Sequence, residues 1–149
     1  MKPSINIRLA QFFFSFFLLV LLTFFGFAYF SIQESAVLEI ESKTNMKLQI
    51  YLMVNLIVTL VVILLSSMTF SFKIDQTKQS KMEIPQKINK LKNACILRMV
   101  LLSTGALIAT ASMLFTKNLV FAFYFIILLL VFLNTFLTKS KAKRLLQLQ

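Results

Sequence analysis

The chain alternates between long uncharged stretches and shorter polar segments. The stretches without Asp, Glu, Lys or Arg are residues 9–33, 48–72, 99–116 and 118–138. A helix that crosses the hydrocarbon core of a bilayer needs about 20 predominantly apolar residues. The pattern therefore predicts four membrane-spanning helices, which we place near residues 9–32, 48–72, 96–116 and 119–138.

The connections between these spans are short enough to dictate their order. Only Lys117 and Asn118 separate the third span from the fourth, and a break of this length is typical of a tight helical hairpin. The predicted fold class is all-α, a four-helix transmembrane bundle with up-down-up-down topology. We treat residues 1–149 as a single integral membrane domain.

The connection between the second and third spans, residues 73–95, has a helical pattern of its own. Its apolar residues recur at i, i+4, i+7 and i+11, namely Ile84, Ile88, Leu91 and Cys95. Proline is tolerated in the first turn of a helix, so Pro85 marks its start. We predict a short amphipathic cytoplasmic helix before the third span. It either lies on the membrane surface or continues straight into the span.

Composition narrows the possible functions. Hydrophobic residues make up 58% of the chain and charged residues 14%, against about 45–50% and about 25% in soluble domains. Because there is no His and a single Cys, the usual zinc ligand sets and a Ser-His-Asp triad are excluded. We expect no enzymatic activity, no catalytic residue, no cofactor and no metal site.

The charge distribution predicts an orientation. Thirteen of the 16 basic residues lie in the N-terminal tail, in residues 73–98 between the second and third uncharged stretches, and in the C-terminal tail. By the positive-inside rule, both termini are cytoplasmic, and we expect a bacterial cytoplasmic membrane. The first loop, on the opposite side, holds the acidic residues Glu34, Glu39 and Glu41.

Four basic residues near the third span form a candidate surface for anionic lipid headgroups or a protein partner: Lys87, Lys90, Lys92 and Arg98. Basic residues beside membrane spans commonly contact anionic lipid. No aromatic residues alternate with these lysines, as a stacking platform for single strands requires. We therefore expect no nucleic-acid binding.

Small and polar residues mark helix faces within two of the spans. The second span carries Asn55, Thr59 and Ser66 on one face, and the third carries Gly105, Ala109 and Ser112. Such residues allow close backbone approach and interhelical hydrogen bonds in lipid. A polar lining for a solute path is the alternative. We favour helix packing or partner contact.

No span has an ionisable side chain in its middle, whereas pumps and proton-coupled transporters depend on such groups. The sequence favours a non-catalytic accessory or scaffold subunit of a larger membrane complex, with a protein partner or self-association in the membrane. The alternative is a homo-oligomeric channel or small transporter for a neutral or weakly polar solute.

Overall fold

The structure, a computed structural model, describes residues 7–36 and 46–146. Within these ranges the chain is helical, without strands: α1 Arg8–Ala36, α2 Met46–Gln79, α3 Ile84–Thr116, α4 Phe121–Leu133 and α5 Lys139–Leu146. The predicted all-α class is confirmed. Helices α1, α2 and α3 are long and apolar enough to cross a membrane, which is compatible with a multi-pass membrane protein. Residues 37–45, with the acidic residues Glu39 and Glu41, lie outside the described residues.

The connection at residues 73–95 is helical over most of its length. Helix α2 continues to Gln79 and α3 begins at Ile84. The predicted amphipathic helix is therefore not a separate element: it is the first part of α3, which continues straight toward the predicted span. No proline follows Pro85 and no glycine precedes Gly105 in this helix, so nothing interrupts its hydrogen-bond ladder. At 1.5 Å per residue, α2 and α3 are each roughly 50 Å long, against about 30 Å for a hydrocarbon core.

Helices α2 and α3 pack antiparallel along this length. Their facing pairs are Asn55–Ser112, Val62–Gly105, Phe70–Arg98 and Lys78–Lys87. Steps of seven or eight residues along α2 keep a single face turned toward its partner, as in coiled-coil packing.

Helix α3 is the central element of the described bundle, because it packs against α1, α2, α4 and α5. Its buried surface combines small residues with larger ones: Gly105, Ala106 and Ala109 lie among Met99, Leu102 and Met113. Small residues on a central helix let several neighbours approach its backbone.

Helix α4 runs antiparallel to α1 and meets it through phenylalanine rings. The ring centroids of Phe25 and Phe125 lie 4.3 Å apart, and those of Phe14 and Phe132 lie 5.1 Å apart. Both pairs are stacked, a geometry that stabilises beyond area burial alone. However, α4 has only 13 residues and is shorter than the span predicted at 119–138.

The chain continues in the same direction after α4. The Gln11 side-chain amide donates a hydrogen bond to the Leu137 carbonyl at 3.2 Å, beside the start of α1. Helix α5 then begins after Thr138, whose hydroxyl accepts a bond from the Lys141 backbone N–H at 3.2 Å, a typical N-cap contact. We call the end of the bundle where α1 begins and α5 lies the basic end.

Candidate functional site

Three polar residues of the second predicted span face the bundle interior, whereas Gln49 and Ser71 are exposed. Among residues 48–72, the fully buried side chains are Asn55, Thr59 and Ser66, whereas the large apolar side chains are exposed or half-exposed. This arrangement is the reverse of a soluble helix. It is what a helix surrounded by lipid adopts, because lipid solvates apolar side chains and leaves polar groups to find partners inside.

Asn55 joins α2 to α3. Its side-chain amide donates to the Ser112 hydroxyl at 2.8 Å and to the Tyr51 carbonyl at 2.9 Å. Ser112 in turn donates to the Ile108 carbonyl at 3.0 Å. The two buried side chains form a short relay that ends on helix backbone, so their donors are used within the bundle.

Three further buried hydroxyls bond locally. Ser66 donates to the Ile63 carbonyl at 3.0 Å, Ser103 to Met99 at 2.7 Å, and Thr110 to Ala106 at 2.9 Å. Ser and Thr side chains satisfy themselves in this way inside helices. These groups therefore have no donor left to offer a solute.

Gly105 sits where α2 and α4 both press on α3. A Cβ atom at this position would lie 3.1 Å from a Val62 methyl carbon and 3.3 Å from a Leu128 methyl carbon. Ala109, one turn further on, is buried as well. The structure thus places Gly105, Ala109 and Ser112 on the buried surface of α3.

The four predicted basic residues do not form one surface. Lys90 is exposed, Lys87 and Lys92 are half-buried, and Lys87 donates to the Lys78 carbonyl across the hairpin at 3.4 Å. Arg98 lies apart from them, with its guanidinium carbon 4.9 Å from the centre of the Phe70 ring. This distance is within the range of a cation–π contact.

Arg98 lines a cleft at the basic end, which we call the basic cleft. It is formed by Phe70, Cys95, Arg98, Asn134, Thr135, Leu137, Lys141 and Leu145. Two of these side chains are cationic and none is acidic. Helices α2, α3 and α5 and the segment after α4 all contribute to its walls.

Both cations in the cleft are incompletely paired. The Nε atom of Arg98 is buried and has no hydrogen-bond partner among the described residues. The Lys141 ammonium donates to the Asn134 carbonyl. Burial lowers the pKa of Lys141, and the positive charges of Arg98 and Arg144 lower it further.

The sequence did not point to this cleft, because its residues come from four separate segments. By charge alone, Lys141 is one of four basic residues in the C-terminal tail. Its place on a helix follows from Thr138 as an N-cap residue and from Ala142, Leu145 and Leu146 at helical spacing, a signal present in the sequence.

The described residues contain no candidate metal site. Within residues 7–36 and 46–146, no three His, Cys, Asp or Glu side chains are grouped so as to hold a metal ion. Cys95 is buried and forms no disulfide.

Comparisons of this chain with protein-family models, with curated proteins and with solved structures give no match.

Proposed function

We propose that the protein is a non-catalytic accessory or scaffold subunit of a larger membrane complex. The observation that carries this proposal is the burial pattern of α2. Asn55, Thr59 and Ser66 are turned inward, Asn55 and Ser66 are hydrogen-bonded, and most of the side chains that residues 48–72 turn outward are apolar. The described part of this bundle offers wide apolar helix faces to lipid or to other helices.

The proposal includes four membrane crossings. Phe121 packs with Ala28 and Ile32 at one end of α1, and Leu137 bonds to Gln11 at the other. The segment from 121 to 137 thus extends along the same height as α1 from residue 32 to residue 11. After α4 the chain continues through turn residues, with the Thr135 N–H bonded to the Phe132 carbonyl and the Phe136 N–H bonded to the Leu133 carbonyl, before it reaches Leu137.

The orientation is proposed from charge. Both termini and the α2–α3 turn lie on the cytoplasmic side of a bacterial cytoplasmic membrane, because most basic residues lie there. The parts of α2 and α3 that exceed the hydrocarbon thickness project from this side. Exposed Lys90, with Lys87 and Lys92 beside it, contacts anionic headgroups or a partner there.

The outward face of α2 is the surface we assign to a partner helix. Five of its exposed apolar side chains recur at helical spacing: Met53, Ile57, Leu60, Leu64 and Met68. Spacing by three or four residues lets such a stripe lie along another helix.

Purification from native membranes in mild detergent, followed by mass spectrometry, tests this assignment. We expect one heterologous membrane protein at fixed stoichiometry, and a photo-crosslinker at Leu60 should capture it. The same crosslinker at half-buried Val62, which faces α3, should not reach that partner. Recovery of a homo-oligomer alone would contradict the proposal and place first the alternative function, a channel or small transporter for a neutral or weakly polar solute.

A further inference from the structure

The basic cleft lies at the depth where the apolar parts of the helices end. The second uncharged run ends at Phe72, the third begins at Met99, and the fourth ends at Thr138. Each of these residues lies within a few positions of a residue that lines the cleft. Three independent segments therefore place the cleft at the level of lipid headgroups rather than in the hydrocarbon core or in bulk water.

The chemistry of the cleft matches an oxyanion. Arg98 and Lys141 supply cationic donors, and the lining contains no carboxylate that would neutralise them. The Arg98 guanidinium carbon lies 4.9 Å from the centre of the Phe70 ring, on one wall of the cleft. The buried Arg98 Nε has no partner among the described residues, and a buried donor without a partner is costly.

The Lys141 ammonium adds a second donor. Its contact with the Asn134 carbonyl uses one of its three hydrogens, so further donors are available. The lowered pKa of Lys141 reflects burial and repulsion from Arg98 and Arg144, and a bound anion would relieve both costs.

We propose that the basic cleft binds a phosphate group, and that its source is the headgroup of an anionic phospholipid. The internal space of the cleft, about 10 Å³, has room for about one water-sized group, so the phosphate lies at the mouth of the cleft with its oxygens toward Arg98 and Lys141, while Phe70, Leu137 and Leu145 supply the apolar lining. Basic pockets between membrane helices at the cytoplasmic face recognise lipid headgroups in this way. The site goes beyond the accessory function and does not depend on it, since it can be measured on the isolated protein.

The test uses purified full-length protein and native mass spectrometry, with phosphatidylglycerol, phosphatidylcholine or inorganic phosphate as the added probe. We expect one phosphatidylglycerol to be retained with roughly tenfold preference over phosphatidylcholine, the size of effect that charge-assisted hydrogen bonds give. Arg98→Gln and Lys141→Gln should each reduce this binding by roughly tenfold.

Lys143→Gln is the matched control, because it removes the same charge from an exposed position on the same helix, α5. It should change binding by less than about twofold, as expected for a screened surface charge. Equal losses in Lys141→Gln and Lys143→Gln, or no preference for phosphatidylglycerol in the wild type, would overturn the proposal.

Two further arms keep the test decisive. Inorganic phosphate that displaces the lipid, with the same dependence on Arg98 and Lys141, would support the phosphate site but replace the lipid with a soluble ligand. Arg98→Lys retains the charge but not the planar donor edge, and it should bind more weakly than the wild type and more tightly than Arg98→Gln. Melting temperatures of all variants identify any that fail to fold; in that case Lys141→Gln, on the peripheral helix α5, decides the outcome.

Discussion

At the scale of single residues, the contact between α2 and α3 depends on side chains that are small or polar. Because Gly105 has no side chain, the Val62 methyl groups lie close to the α3 backbone. Two turns earlier in α2, Asn55 bonds to Ser112. In lipid, apolar area alone does not hold two helices together. The close approach at Gly105 and the hydrogen bond of Asn55 are therefore the interactions that hold α2 against α3.

The two glycines of the chain make a matched pair for testing this view. A side chain at Gly105 meets Val62 and Leu128, whereas a Cβ at Gly26 in α1 has no atom within 4 Å. Gly105→Leu should lower the free energy of unfolding by about 1–3 kcal/mol through overpacking. Gly26→Leu should leave it unchanged or raise it slightly, because a helical glycine costs backbone entropy. Unfolding in mixed detergent micelles measures both, and equal losses would place Gly105 on an outward face.

A double-mutant cycle isolates the Asn55–Ser112 hydrogen bond. The coupling between Asn55→Ala and Ser112→Ala should be about 0.5–1.5 kcal/mol, the range of interhelical hydrogen bonds in membrane proteins. Thr110→Ala serves as the control partner, since Thr110 is equally buried on α3 but bonds to the Ala106 carbonyl. Asn55 and Thr110 should show additive effects. A coupling near zero for Asn55 and Ser112 would show that the bond contributes nothing to stability.

At the scale of elements, the apolar runs were sufficient to predict α1, α2 and α3, because length and hydropathy decide such helices. The ends of α2 and α3 were not predicted. Charge marks where a helix leaves the apolar layer, yet lysines are good helix formers and Lys73–Gln79 continues α2 without a break. At the early end of α4, the Thr135 hydroxyl donates a hydrogen bond to the Phe132 carbonyl at 2.6 Å. The hydropathy pattern does not predict this contact.

Of the two candidate sites, the polar face of α2 could be predicted from the sequence and the basic cleft could not. Helical spacing alone placed Asn55, Thr59 and Ser66 on one face, since that pattern is local in the sequence. The basic cleft needs Arg98 and Lys141 to meet across more than forty positions of sequence, and only the packing of α5 on α2 and α3 brings them together.

The continuity of α3 gives a prediction at this scale. Asn93→Pro in the helix interior should lower the free energy of unfolding by about 3 kcal/mol, because proline removes a hydrogen bond and clashes with the preceding turn. Ile84→Pro should be tolerated, since Ile84 is the first residue of the helix and Glu83 before it is already extended at φ −64° and ψ 153°. Thermal unfolding and limited proteolysis distinguish the two. Tolerance of both would mean that α3 consists of two independently packed helices.

At the scale of the whole molecule, the orientation can be read from two single cysteines. Ser42→Cys and Ser80→Cys are each introduced with Cys95→Ala; Ser42 lies outside the described residues and Ser80 lies in the turn between α2 and α3. In intact cells a membrane-impermeant thiol reagent should label position 42 and spare position 80, because the positive-inside rule places the turn in the cytoplasm. Permeabilised cells should label both. The opposite pattern in intact cells would invert the proposed topology.

The last prediction concerns transport by the whole bundle: the protein does not conduct ions or couple to protons. A charge at the centre of a bilayer costs at least about 2.5–3.5 kcal/mol, so chains retain one there chiefly when it has a task. The four uncharged runs retain none, and the Asn55 donors are already used by Ser112 and Tyr51. Liposomes containing the purified protein should therefore show proton, sodium and potassium flux no higher than empty liposomes, with or without Asn55→Leu. Flux that exceeds this background in the wild type and disappears in Asn55→Leu would establish the polar face of α2 as a conduction path and displace the accessory-subunit proposal.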